Sequence, residues 1–157
     1  MTDMATLAAA LEPVLSVVRT VDPSDSHAAE ALAAALPVEG ETLVSLRRVV
    51  REGVVAGWLA QRENGGIRFG RVHKSEGPGD LGIECVHMDK AGPGHTHPAG
   101  EINLCFAVSG EPTFDGASPG WIAYPPGSWH VPTVAGGVMD ILYFLPGGAI
   151  RFESKPA

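Results

Sequence analysis

Two histidines and a glutamate, His95, His97 and Glu101, fall within seven residues in the stretch Gly94-His95-Thr96-His97-Pro98-Ala99-Gly100-Glu101. All three are strong metal-ligand side chains. Histidines at i and i+2 project from the same side of a strand and can bite one ion, and a glutamate four residues on reaches the same ion after a turn. Imidazole with carboxylate suits Zn, Fe, Mn, Ni or Cu without choosing among them. An ion held this way keeps positions open for water or substrate, which allows Lewis-acid or redox chemistry. A fourth candidate, His130, follows in Pro125-Pro126-Gly127-Ser128-Trp129-His130. There the glycine permits a tight bend, and the histidine is expected to open the next strand.

These residues need a rigid support, and the chain after Trp58 reads as one. Short alternating segments separated by Gly, Pro, Asn and Asp predict strands at Ile67–Lys74, Gly82–Met88, Glu101–Ser109, Trp121–Tyr124, His130–Val134 and Val138–Leu145. Many short strands with such turns argue for a β-sandwich or barrel. The strand from Glu101 has two unlike faces. Glu101, Asn103 and Cys105 share one; Ile102, Leu104, Phe106 and Val108 share the other, which is apolar and must be buried against another layer.

Upstream, the pattern is helical. Leu7, Leu11, Val14 and Val18 are spaced for one helix face over residues 2–20, with Pro13 expected to kink or divide it. Asp22-Pro23 reads as the start of a helix running from His27 to Leu36. A third helix is predicted over Glu41–Ala56, with Leu43, Leu46, Val50 and Val54 on one stripe. The predicted organisation is therefore a helical N-terminal segment, 1–57, packed on a β-barrel, 58–157.

Eleven Lys plus Arg against 18 Asp plus Glu give a net charge of −7, and no basic cluster is present. Nucleic acid and anionic membrane surfaces are poor partners for such a chain. No apolar run approaches the ~20 residues that span a bilayer, and the Ala-rich start lacks the basic region of a signal peptide. A cytoplasmic location is expected. Cys85 and Cys105 lie in apolar runs and read as small buried residues rather than a disulfide framework.

The two motifs together resemble those of the cupin superfamily. The resemblance implies a mainly β fold with N-terminal helices: a cupin-type double-stranded β-helix, or jelly roll, preceded by a helical segment. Carried over residue by residue, it implies that His95, His97, Glu101 and His130 bind one divalent transition metal, Fe, Mn, Zn or Ni. The chain departs from the cupin pattern around the ligands. Asp89 stands where a glycine is usual, Gly110 closes the first motif two residues late, and Val134 replaces an expected asparagine.

A closer resemblance covers most of the chain. It is carried by Gly94-His95-Thr96-His97-Pro98, by Gly100 to Ala107, by Gly120 to Val134 and by Tyr143 to Ile150. These stretches look like the bacterial 4-hydroxylaminobenzoate lyase family. The implied activity is conversion of 4-hydroxylaminobenzoate to 3,4-dihydroxybenzoate with release of ammonia, in nitroaromatic breakdown. Glu101 and His130 are then the expected catalytic residues. If no metal is bound, burial is expected to raise the Glu101 pKa and make it a proton donor. Alternative readings are a metal-dependent cupin dioxygenase of a small aromatic and a non-catalytic small-molecule-binding cupin.

A small aromatic acid needs an apolar slot, a cation and orienting groups. Arg68 and Arg71 have opposite strand parity, so at most one faces the pocket; Arg68 is the first candidate. Tyr124 and Trp129 flank the second motif and are candidates to stack on a ring. Asn103 shares the face of Glu101, and a buried amide needs partners. His87 is expected in the core or supporting a ligand, not as a fifth ligand. Apolar faces and acidic charge are compatible with a homodimer.

Overall fold

The computed structural model describes residues 1–157. Helix α1 (Met4–Val18) opens on Asp3, whose carboxylate accepts from Thr6 N. Its buried stripe is Leu7, Leu11, Val14 and Val18. Pro13 lies within this single helix rather than dividing it. The proline is exposed, so its ring meets solvent, while the four buried side chains around it hold both halves to the core.

Helix α2 (Ala28–Ala35), flanked by His27 and Leu36, lies where it was expected, but Asp22 does not cap it. The Asp22 carboxylate accepts from Ser24 N and Oγ, and Asp25 accepts from His27 N. Local side-chain turns of this kind compete with the helix for the same donors. Helix α3 (Glu41–Ala56) buries Leu43, Leu46, Val49, Val50 and Val54 and ends at Gly57. No helix is long and apolar enough to cross a membrane.

Nine strands follow: β1 (Arg62–Asn64), β2 (Ile67–His73), β3 (Leu81–Met88), β4 (His95–His97), β5 (Glu101–Phe114), β6 (Gly120–Tyr124), β7 (Ser128–His130), β8 (Val134–Pro146) and β9 (Arg151–Phe152). Six form an antiparallel sheet in the order β1-β2-β3-β8-β5-β6, and three form a second sheet in the order β7-β4-β9. The fold is a mainly β, cupin-type barrel carrying three helices. One expected strand is displaced. His130 ends β7 instead of opening a strand, because Pro132 has no N–H to give a ladder, and β8 begins at Val134. Strand β5 outruns its expected end at Ser109, with two register shifts against β8.

The alternation along β5 separates two cores. Ile102, Leu104 and Phe106 join Ile83, Cys85, Trp121, Leu142 and Phe144 against the helices. On the opposite face Cys105 joins Val86, Met88, Ile141, Tyr143 and Leu145 inside the barrel. The two free cysteines thus sit on opposite faces of one sheet. The helical layer also takes up polar groups. Asp140, buried on the outer face of β8, lies 3.2 Å from Arg51 and 2.7 Å from His87. Trp121 Nε1 donates to Leu36 O at 2.9 Å.

Leu104 is fully buried between β5 and the helices. Leu104→Ala should cost about 2–5 kcal/mol in urea unfolding. A loss near zero would show that the helices do not cover this face.

Candidate metal centre

Strand β4 supplies His95 and His97 from its centre position in the small sheet, and β7 pairs with it so that His95 lies opposite His130. Glu101, the first residue of β5, comes from the large sheet. The turn between them ends at Gly100, with φ +89°; a Cβ there would lie 2.9 Å from Pro23 and 3.0 Å from Tyr124 O. Only glycine makes that bend without a clash. One ligand atom from each of His95, His97, Glu101 and His130 lies within 4.8 Å of all the others.

The approach is closest where a shared ion would sit. His130 Nε2 is 3.1 Å from His95 Nε2, and His97 Nε2 is 3.0 Å from Glu101 Oε2. Ligands about 2.1 Å from a common ion are separated by roughly this much. His97 Nε2 and Glu101 Oε1 are buried without a hydrogen-bond partner. Buried donor atoms of this kind are what a cation satisfies, so the residues fit a metal.

Each ring is oriented from behind. His97 Nδ1 lies 2.9 Å from Ser128 Oγ, which itself donates to Pro125 O, so Nδ1 carries the proton. His95 Nδ1 faces Pro93 O at 3.4 Å, and His130 Nδ1 faces the Asp115 carboxylate at 2.5 Å. Acceptors at all three Nδ1 atoms leave the Nε2 lone pairs turned inward, the form that ligates metal.

Asp115 is the functional residue that sequence reasoning missed. It accepts from His130, from the Tyr124 hydroxyl and from Thr133 N. It reaches them from a two-residue hairpin turn, Asp115-Gly116, with φ +50° and +83°. The Asp-Gly pair after Phe114 was a visible hairpin signal; nothing in the sequence aimed its carboxylate at His130.

Burial works against charge on Glu101, yet the imidazoles of His95 and His97 packed against it hold its carboxyl down at about 2. The expectation of a raised Glu101 that donates a proton is therefore overturned. The site keeps it as a carboxylate, the state a ligand needs. Burial also opposes charge on Asp115, and bonds from His130, Tyr124 and Thr133 N bring it below its ordinary value.

A model of the family described as PnbB, 4-hydroxylaminobenzoate lyase, matches residues 10–152. The chain belongs to the 4-hydroxylaminobenzoate lyase family. It is 34% identical over 119 residues to the 4-hydroxylaminobenzoate lyase of Nocardioides sp. (strain LMS-CY), covering 69% of this chain and 70% of that one. It is 30% identical over 136 residues to that of Pseudomonas putida, covering 73% and 76%. Among solved structures, it is similar to an RmlC-like cupin protein from Ralstonia eutropha JMP134, with TM-score 0.40, 12% identity and coverage of 54% and 58%. It is also similar to the DMSP lyase DddQ from Ruegeria pomeroyi DSS-3, with TM-score 0.40, 16% identity and coverage of 86% and 79%.

In this lyase-family enzyme a cavity of about 370 Å³ opens beside the cluster, with His95 in its wall. Ile67, Phe69, Val86, Met88, Tyr143 and Phe152 give it an apolar lining. None of the residues expected to bind substrate, Arg68, Trp129, Tyr124 and Asn103, is in its lining. Arg68 is turned to the helical side, where Nη2 donates to Val54 O at 2.9 Å and Nε to Ala60 O at 3.2 Å, satisfying the end of α3. Trp129 shares the face of Thr96, away from His95 and His130, and its Nε1 donates to Glu153 O. Tyr124 stacks on His97 with ring centroids 5.1 Å apart and donates to Asp115, so it braces ligands rather than lining the cavity. Asn103 lies beside Glu101, its Nδ2 donating to Oε2 at 3.1 Å.

Asp115→Asn should weaken metal affinity about 10- to 100-fold, read by chelator competition. The native pKa of Asp115 lies below the ordinary 3.8. Its contribution to stability is therefore complete above that value and lost as pH falls through the lowered one. The variant should show a flatter stability profile across that acid range, and an unchanged profile would remove Asp115 from this role.

Proposed function

We propose that the protein converts 4-hydroxylaminobenzoate to 3,4-dihydroxybenzoate and ammonia, using one divalent transition-metal ion, Fe, Mn, Zn or Ni, held by His95, His97, Glu101 and His130. The observation that carries this is the convergence of three imidazole Nε2 atoms and one carboxylate beside an apolar cavity of aromatic size, in a chain of this family.

The overall change takes up one water and loses one ammonia. The N–O bond breaks, a ring carbon gains a hydroxyl, and the carbon bearing nitrogen exchanges it for oxygen from water; no external oxidant is required. A bound divalent ion supplies Lewis acidity at an oxygen. The protein's own groups do the rest. Glu101, fixed as a carboxylate, and His130, held by Asp115, are the proposed catalytic residues. His130 is 12% exposed whereas His95, His97 and Glu101 are sealed, so it is the ligand nearest to water. Asn103 secures one oxygen of Glu101 and keeps its own Oδ1 free to accept from a substrate N–H. The apolar walls exclude water from the ring and favour an aromatic guest. Arg71, exposed and 3.6 Å from Glu84 of the cavity wall, replaces Arg68 as the candidate cation for the carboxylate.

Incubation of metal-replete protein with 4-hydroxylaminobenzoate should release ammonia and 3,4-dihydroxybenzoate in equal amounts without oxygen uptake. Chelation should abolish turnover, and His97→Ala should lower both bound metal and rate by at least about 100-fold. Oxygen consumption during turnover would favour a dioxygenase; tight binding without product would favour a binding protein.

A further inference from the structure

The inner face of the six-stranded sheet carries one polar rung across four strands. Arg71 on β2 pairs with Glu84 on β3, Glu84 with Tyr143 on β8, and Tyr143 with Asn103 on β5. The adjacent rung, Phe69, Val86, Ile141 and Cys105, is apolar. The polar rung leads from the exposed Arg71 through Glu84 and Tyr143 in the cavity wall to Asn103, which holds Glu101.

Its polar atoms are largely unspent. Glu84 Oε2 and Asn103 Oδ1 are buried with no hydrogen-bond partner. Tyr143 is 6% exposed and lines the cavity with Glu84 and His95, its ring centroid 6.4 Å from that of His95. No protein group hydrogen-bonds its hydroxyl, and burial raises its pKa, so the oxygen keeps its proton. The hydroxyl is not one of the fully sealed atoms, and Tyr143 lines the cavity. Phenylalanine would fill the same space, so packing alone gives the oxygen no role. What remains within its reach is whatever occupies the cavity.

We infer that the Tyr143 hydroxyl contacts the substrate, donating a hydrogen bond to the hydroxylamino oxygen while the ring lies along Phe69 and Val86. This rests on the lyase reading above. The placement follows from position: Tyr143 lines the cavity together with His95, where the reacting group must lie, and Glu84, also in its wall, leads outward to the exposed Arg71. As a held donor, Tyr143 stabilises negative charge on the departing oxygen without surrendering its proton.

Tyr143→Phe removes a single oxygen and tests the assignment. The variant should keep its metal content and a thermal midpoint no lower than wild type. Its kcat/KM for 4-hydroxylaminobenzoate should fall roughly ten- to hundredfold, the size of one hydrogen bond lost from a buried site. Inhibition by 4-aminobenzoate, which lacks the N–O oxygen, should be equal in both proteins. Equal kcat/KM overturns the assignment while leaving the lyase reading intact. So does a parallel loss of 4-aminobenzoate binding, which would mark a distorted cavity. Absence of turnover by wild type overturns the lyase reading and this assignment with it.

Discussion

Desolvating three imidazoles and a carboxylate with their lone pairs aimed at one point is costly unless a cation joins them and each ring is held from behind. His95, His97 and Glu101 are sealed from water, and His130 nearly so. Their outward nitrogens meet Pro93 O, Ser128 Oγ and the Asp115 carboxylate. Those acceptors come from three separate places in the chain, so the cluster ties together the entrance to β4, the first residue of β7 and the hairpin after β5. Loosening any one would let a ring rotate and its lone pair turn away.

That burial depends on sheets that close over the site, and the larger sheet depends on the helices. Its outer face is as apolar as a protein core, with Ile102, Leu104, Phe106, Leu142 and Phe144 in a row of contacts with α1 and α3 residues. Without the helices this face would meet water. The layer is also electrostatic: Arg51 from α3 reaches the buried Asp140, and Arg68 from β2 reaches back to the carbonyls that end α3. Removing one partner of such a buried pair leaves the other unpaired, which is more damaging than never having had the pair.

The inner face joins fold to chemistry. Apolar rungs make a slot suited to an aromatic ring, and one polar rung runs from the exposed Arg71 to Asn103 beside Glu101. The proposed substrate has two unlike ends, an anionic carboxylate and a polar hydroxylamino group across a flat ring. The same strand alternation that divides core from cavity thus gives the cavity a polar and an apolar track.

Much of this was legible in the chain. The spacing of His95, His97 and Glu101, with His130 after a glycine turn, is local information, because ligand identity and strand parity are properties of a few adjacent residues. The two faces of β5 and the helices before the barrel followed from periodicity for the same reason. What the sequence left open depends on which strands become neighbours. Arg68 and Arg71 differ in parity, but only the pairing of β2 with β3 sends Arg68 to the helices and Arg71 to the inner rung. Burial alone predicted a raised Glu101; two histidines folded against it reverse the sign. The hairpin after β5 brings Asp115 to His130, and the place of β8 between β3 and β5 sets Tyr143 between Glu84 and Asn103; neither was readable from local pattern. The sequence by itself determined the ligands and the alternation, since both are set within a few residues. Tertiary structure decided which side chains face them, because contacts between residues 15 to 85 positions apart are fixed by strand order and by the packing of helices on the sheet.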